Sequence, residues 1–127
     1  MGRGKDKRQA ILDATLRLIS RNGFHGTAMS RIAKEAGVST GIIYRYFESK
    51  DDLMDKLYRD IKRRFGEALT DVFDATPPIT VQMRQILGFM LRYYLAHPSE
   101  SAYLEQYMRS PYFSAEIEAK VVQYYLP

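Results

Sequence analysis

Residues 27–53 read T-A-M-S-R-I-A-K-E-A-G-V-S-T-G-I-I-Y-R-Y-F-E-S-K-D-D-L, and their spacing decides the fold. Apolar Met29, Ile32, Ala33 and Ala36 recur at i, i+3, i+4 and i+7, which predicts a short helix over 28–36. Thr27 is expected to cap it, because a threonine hydroxyl can accept from an otherwise unpaired N–H at a helix start. Gly37 follows, where access to left-handed backbone lets glycine end a helix. Val38 packs into the angle, and Ser39 is placed to cap a second helix over 40–47. Two short helices around a glycine turn form a helix-turn-helix, whose second helix enters the DNA major groove.

Working outward, Arg8 begins a helix expected to run to Asn22, with Ile11, Ala14, Leu18 and Ile19 on one face and Leu12 and Thr15 beside it. Gly23 ends it, and Phe24 reads as a core anchor. Residues 1–7 are polar and glycine-containing, so they are expected to form a flexible arm whose basic side chains, with Arg8, either reach DNA or only solubilise. Downstream, Ser49 with Asp52 approximates a capping box for a fourth helix. Its line Leu53, Met54, Leu57, Ile61, Phe65, Ala68, Leu69, Val72 continues for several turns. Lys50 lies in its first turn, where a cation is locally unfavourable, and that misfit points to an external anion such as phosphate. The run Arg59, Lys62, Arg63, Arg64 reads as a solvated face.

Paired prolines at Pro77 and Pro78 break the helix. A fifth helix is expected over 81–97, apolar nearly all round and hence buried on more than one side. Pro98 opens a sixth over 99–109. Ser114 caps a seventh that runs to about Tyr125. No strand-like alternation appears, so the fold is all-α: an N-terminal three-helix unit joined by a long fourth helix to a second helical domain. The division falls between residues 1–60 and 61–127.

The chain has 127 residues, 46% of them hydrophobic, which is ample for a core, and no cysteine, which excludes disulfides and thiolate metal sites. That is compatible with the cytoplasm. No apolar stretch approaches the roughly 20 residues needed to span a bilayer. Residues 1–64 hold 15 Lys/Arg and 8 Asp/Glu, whereas 65–127 hold 4 and 7. A basic half joined to a mildly acidic one suits a nucleic-acid-binding module carrying a second module with another task.

On a helix standing in a groove, the exposed N-terminal positions face base edges. Here they are Thr40, Gly41, Ile42 and Arg45. Arg45 can pair in bidentate fashion with guanine O6 and N7, Thr40 can reach a base edge, and Ile42 can meet a thymine methyl. Gly41 allows close backbone approach. Thr27, Tyr44, Tyr46 and Lys50 offer hydroxyl or ammonium groups at the rim, suited to phosphates, and Ser39 is counted with them. Tyr46 has a second reading as a packing residue beside Phe47. No glycine-rich phosphate loop, paired-histidine metal spacing or acidic cluster is present, so no catalytic residue, metal or cofactor is assigned. The second half is rich in aromatic residues and methionine. From the residues alone, this is equally a ligand pocket and an ordinary core or subunit interface.

The string as a whole resembles the DNA-binding domain of the TetR family of bacterial transcriptional regulators. The carriers are G-F-x-x-T (Gly23, Phe24, Thr27), I-A-x-x-A-G-V-S from Ile32 to Ser39, G-x-x-Y-x-Y-F from Gly41 to Phe47, and K-x-x-L from Lys50 to Leu53. Ala28 departs from it, since serine is frequent there in the family. The resemblance implies that Tyr44 and Lys50 hold phosphates. It also implies a homodimeric repressor that binds a near-palindromic double-stranded operator and is released by a small-molecule inducer. The inducer pocket is then expected among Phe65, Phe89, Met90, Tyr93, Tyr103, Tyr107 and Met108. The rival reading is a helical ligand-binding or protein-interaction module that keeps the helix-turn-helix as scaffold. Family members usually continue through two more long helices that pair with a second subunit. The expectation is therefore a chain incomplete at its C-terminus.

Overall fold

The computed structural model describes residues 3–111, 113, 119–120 and 123. Six helices follow one another: α1 (Arg3–Asn22), α2 (Met29–Ala36), α3 (Thr40–Tyr46), α4 (Lys50–Val72), α5 (Ile79–Ala96) and α6 (Pro98–Met108). The all-α expectation holds among the described residues, and no helix there is long and apolar enough to cross a membrane. Of the expected seventh helix, residues 119, 120 and 123 are helical; its other positions lie outside the described residues.

The apolar faces read from the sequence converge. Ile11, Leu12, Ile19, Ile32, Ile43, Leu53, Met54, Leu57 and Ile61 are fully buried in one core. Tyr103 and Tyr107 of α6 join that same core. The Tyr103 hydroxyl donates to the Met54 carbonyl of α4 at 2.6 Å, so a buried polar tip is satisfied. Tyr58 stacks on Tyr107 with ring centroids 4.4 Å apart. The last helix therefore packs into the base of the first three instead of standing apart from them.

The local stops are as expected at two points. Gly37 adopts φ 72°, and its N–H caps α2 on the Ala33 and Lys34 carbonyls. Ser49 Oγ accepts from Asp52 N at 3.1 Å, while Asp52 Oδ2 accepts from Glu48 N at 3.0 Å.

Several expectations are corrected. Residues 3–7 are helical and not an arm: α1 begins at Arg3, with Asp6 in its first turn where the dipole favours an anion. Ala28, not Thr27, is the N-cap of α2, without a side-chain bond. Thr27 is buried instead, and its hydroxyl donates to the Gly23 carbonyl at 2.9 Å. A hydroxyl four residues after a carbonyl closes on it readily, and here that contact wins over capping. Arg64 is not part of a solvated face; it bridges buried Asp60 and Glu100. Finally, α5 has no buried residue. It lies mainly against α4 and α6, and Met83, Leu87, Leu91 and Leu95 are more than half exposed.

Candidate nucleic-acid interface

The turn positions α3 by burying its inner face. Ile43 is 0% exposed and Phe47 1%, and Val38 packs against the same core. Ser39 Oγ accepts from Ile42 N at 3.2 Å, which fixes the first turn. That role uses an oxygen lone pair and leaves the hydroxyl proton for an outside acceptor. With Ile43 and Phe47 turned in, the opposite face is settled by geometry. Gly41, Tyr44 and Arg45 are exposed, Tyr44 at 51%, and Thr40 and Ile42 are half-buried beside them.

Two details single this face out. A Cβ added at Gly41 would meet nothing nearer than Ser39 Oγ, at 3.9 Å. Glycine within a helix costs about 1 kcal/mol relative to alanine, and no internal packing requires it here. Arg45 is exposed and takes part in no ion pair among the described residues, whereas Arg17 and Arg21 both pair with Glu35. A guanidinium with five donors and no carboxylate partner among the described residues is ready for an external acceptor.

The rim is more mixed. Lys50 Nζ donates to the Phe24 carbonyl at 3.1 Å, so the misfit at the start of α4 is relieved partly from within. One donor is used there, and the ammonium carries three. Tyr46 is half-buried against the core, and a Cβ on Gly4 would lie 3.6 Å from its hydroxyl. The packing reading of Tyr46 therefore holds for its ring, while its hydroxyl lies near the start of α1. Thr27 is the exception, since its inward hydroxyl is not offered to a phosphate.

Basic charge continues beyond the motif. Arg8 stands over the Phe47 ring at 5.4 Å. A cleft of about 520 Å³ between the first turns of α1 and the middle of α4 is lined by Lys5, Arg8, Lys56, Arg59 and Arg63, with Asp6 and Asp60. This cleft is not legible from the residues in order, because its two sides lie about fifty positions apart and share no spacing rule.

The seven expected pocket residues do not form one lining. Phe65, Phe89 and Tyr93 cluster between α4 and α5, with Phe65 5.5 Å from Phe89 and 5.2 Å from Tyr93 by ring centroids. Tyr94 stacks on Phe65 at 5.3 Å, and Met90 is half-buried on the same helix. Tyr103 and Tyr107 are instead 0% exposed in the core, and Met108 is 59% exposed. Burial pushes the Tyr94 and Tyr107 hydroxyls up to about 12. A second cleft of about 450 Å³ lies beside Lys50, His25, Gln106 and Arg109. Among the described residues, no group of three or more His, Asp or Glu side chains is arranged to hold a metal.

Comparison with known proteins agrees with this geometry. Residues 11–57, from α1 into α4, match the family described as "Bacterial regulatory proteins, tetR family". The chain belongs to the TetR family. An uncharacterized HTH-type transcriptional regulator of Haemophilus influenzae is 34% identical over 108 residues, covering 85% of this chain and 58% of that protein. The HTH-type transcriptional regulator BetI of Escherichia coli is 36% identical over 84 residues, covering 66% of this chain and 43% of its own length. A TetR family transcription regulator of Marinobacter aquaeolei superposes with a TM-score of 0.87 at 29% identity, covering 95% of this chain and 63% of the other. The chain thus spans roughly two-fifths to three-fifths of the length of these three proteins. All three are named as regulators rather than enzymes.

Proposed function

We propose that this chain belongs to a ligand-responsive transcriptional repressor that acts as a homodimer. The observation that carries the reading is the exposed face of α3, where Gly41 leaves the helix bare and Arg45 has no ion pair within the described protein. Thr40, Gly41, Ile42 and Arg45 read base edges. Ser39, Tyr44, Tyr46 and Lys50 hold phosphates, which fix register without specifying sequence. Two copies set their α3 helices in successive major grooves of a near-palindromic operator, about 34–36 Å apart or a multiple of that. Residues 1–60 do the reading, and 61–127 belong to the regulatory part. The protein works in the cytoplasm, where bacterial DNA is.

The inducer is a small molecule taken on the α4–α5 side, against Phe65, Phe89, Met90 and Tyr93. Repression then requires only that the DNA-competent arrangement bind the operator better than the liganded one. Duplex affinity titrated against salt tests the reading. Phosphate neutralisation releases counterions, so log K should fall linearly with log salt. Affinity that is independent of salt would leave the helix-turn-helix as scaffold only.

A further inference from the structure

The proposed phosphate-holding lysine is tied to a residue that the reading of DNA does not otherwise use. Phe24 sits in the turn between α1 and α2, and its two ends face different parts of the molecule. The carbonyl oxygen accepts from Lys50 Nζ at 3.1 Å, across twenty-six positions of sequence. The ring is 8% exposed and lies against α6, 5.6 Å from the Tyr103 ring and 6.5 Å from that of Tyr107. We propose that Phe24 is a positioning residue for Lys50: α6 holds its ring, and its carbonyl holds the lysine ammonium at the start of α4 for a phosphate of the duplex. This rests on the DNA reading above.

The surroundings make the link stiff. Gly23, at φ 74°, closes α1 by donating to the Ile19 carbonyl at 2.8 Å. Thr27 Oγ1 returns to the Gly23 carbonyl at 2.9 Å, and Arg31 Nη1 donates to the Gly26 carbonyl at 2.8 Å. From the other side, Gln106 Nε2 donates to the Ile19 carbonyl at 3.2 Å, which ties α6 to the end of α1 just before the turn. Tyr103 is itself anchored on the Met54 carbonyl. The Phe24 carbonyl therefore cannot shift independently of α6.

A lysine side chain carries about 2 kcal/mol of rotamer entropy. Fixing it beforehand removes part of that loss from the binding step. No ion pair of the described residues involves Lys50, so its charge is not cancelled by a carboxylate, and two of its three donors remain for phosphate. Displacing Tyr103 and Tyr107 would move the ring, then the carbonyl, then the lysine. The grip on DNA is in this way coupled to the position of α6.

Phosphate contacts carry no sequence information, so the 127-residue chain can be tested on one labelled duplex of arbitrary fixed sequence. Binding is followed from about 50 to 200 mM salt, where each lost phosphate contact flattens the log–log slope by about 0.9. Lys50→Ala should lose that much. Phe24→Ala, with helix content checked by circular dichroism, should lose the same, Phe24→Leu should recover most of it, and Lys50→Ala/Phe24→Ala should lose no more than either alone. A folded Phe24→Ala with the wild-type slope, or losses that add in the double variant, overturns the proposal. If Phe24→Ala does not fold, Gln106→Ala decides. It should weaken binding in the wild-type background and not in Lys50→Ala; equal weakening in both overturns the proposal. A wild-type chain whose duplex binding ignores salt overturns the DNA reading itself, and this inference with it.

Discussion

At the scale of single residues, the exposed face of α3 separates two kinds of contact that kinetics and competition can tell apart. Arg45→Ala removes the guanidinium placed to read a base edge. It should cost about 1–3 kcal/mol of discrimination between the preferred duplex and its mismatches, while weak background binding survives. Selection from a random duplex pool, followed by affinities on matched and mismatched sequences, measures it. Uniform loss on every sequence would take Arg45 out of the reading set. Thr27→Val makes the opposite kind of prediction. The hydroxyl is buried and satisfies the Gly23 carbonyl. Replacing it leaves that acceptor unpaired, so stability should fall by about 1–3 kcal/mol. Any change in the salt slope of DNA binding should accompany that loss of stability, because the same bond steadies the turn that holds Phe24, and Thr27→Ser should restore both. A flattened slope for Thr27→Val with unaltered urea melts would return the hydroxyl to the phosphate rim.

Between elements, the most consequential tie is the ionic bridge from α4 to α6. Arg64 Nη1 lies 3.1 Å from Glu100 Oε1, and Arg64 Nη2 lies 3.2 Å from Asp60 Oδ2. The Tyr93 hydroxyl of α5 donates to Glu100 Oε2 at 3.2 Å, so three helices meet at one carboxylate. The Asp60 and Glu100 side chains are 9% and 6% exposed, the arginine 33%. The Asp60 contact is close but lacks hydrogen-bond geometry, and Arg64 Nε has no hydrogen-bond partner among the described residues. The bridge is therefore an imperfect one whose removal is still expensive, because it leaves the buried Glu100 carboxylate without a cation, while Asp60 keeps Arg63 Nη2 at 2.7 Å. Arg64→Ala should destabilise by about 2–3 kcal/mol, at the low side for a broken buried pair given the partial exposure of the arginine. Chemical denaturation measures it. Glu100→Gln, which keeps the Tyr93 hydrogen bond, should cost less than Arg64→Ala.

The same scale shows what the sequence could and could not say. The helices around Gly37 were legible because their signals are local: a 3.6-residue apolar period, a glycine stop and a serine cap lie within one window. The inward turn of Thr27 was missed because the same hydroxyl can cap the next helix or close on the carbonyl four residues back, and packing decides between them. Tyr103 and Tyr107 were assigned to a pocket because composition does not distinguish an aromatic face turned to a cavity from one turned to a core. The Lys50–Phe24 and Arg64–Glu100 contacts join positions 26 and 36 apart, and no periodicity encodes such a pairing.

For the whole molecule, that misassignment has a measurable consequence. Tyr94 and Tyr107 are held neutral by burial first and by neighbouring negative groups second, and both hydroxyls are pushed up to about 12 from an ordinary 10. Burial, and after it Glu100, raises Tyr93 as well. In the unfolded chain these phenols ionise near 10, while in the native state Tyr94 and Tyr107 keep their protons to about 12. Between those values the native state binds more protons than the unfolded one, so stability falls as pH rises. The contribution is fully present below about 10 and is lost progressively through about 12. Urea midpoints taken across this window should fall with pH, and Tyr107→Phe should make the decline shallower by removing one of the titrating groups. The decline should be accompanied by cooperative loss of helix, because Tyr107 lies in the one core that α1, α4 and α6 share. If Tyr107→Phe removes phenolate absorbance that the unsubstituted protein gains near pH 10 with its helix signal intact, that ring titrates freely in the folded protein, and the aromatic packing of α6 against Phe24 and Tyr58 would have to be withdrawn.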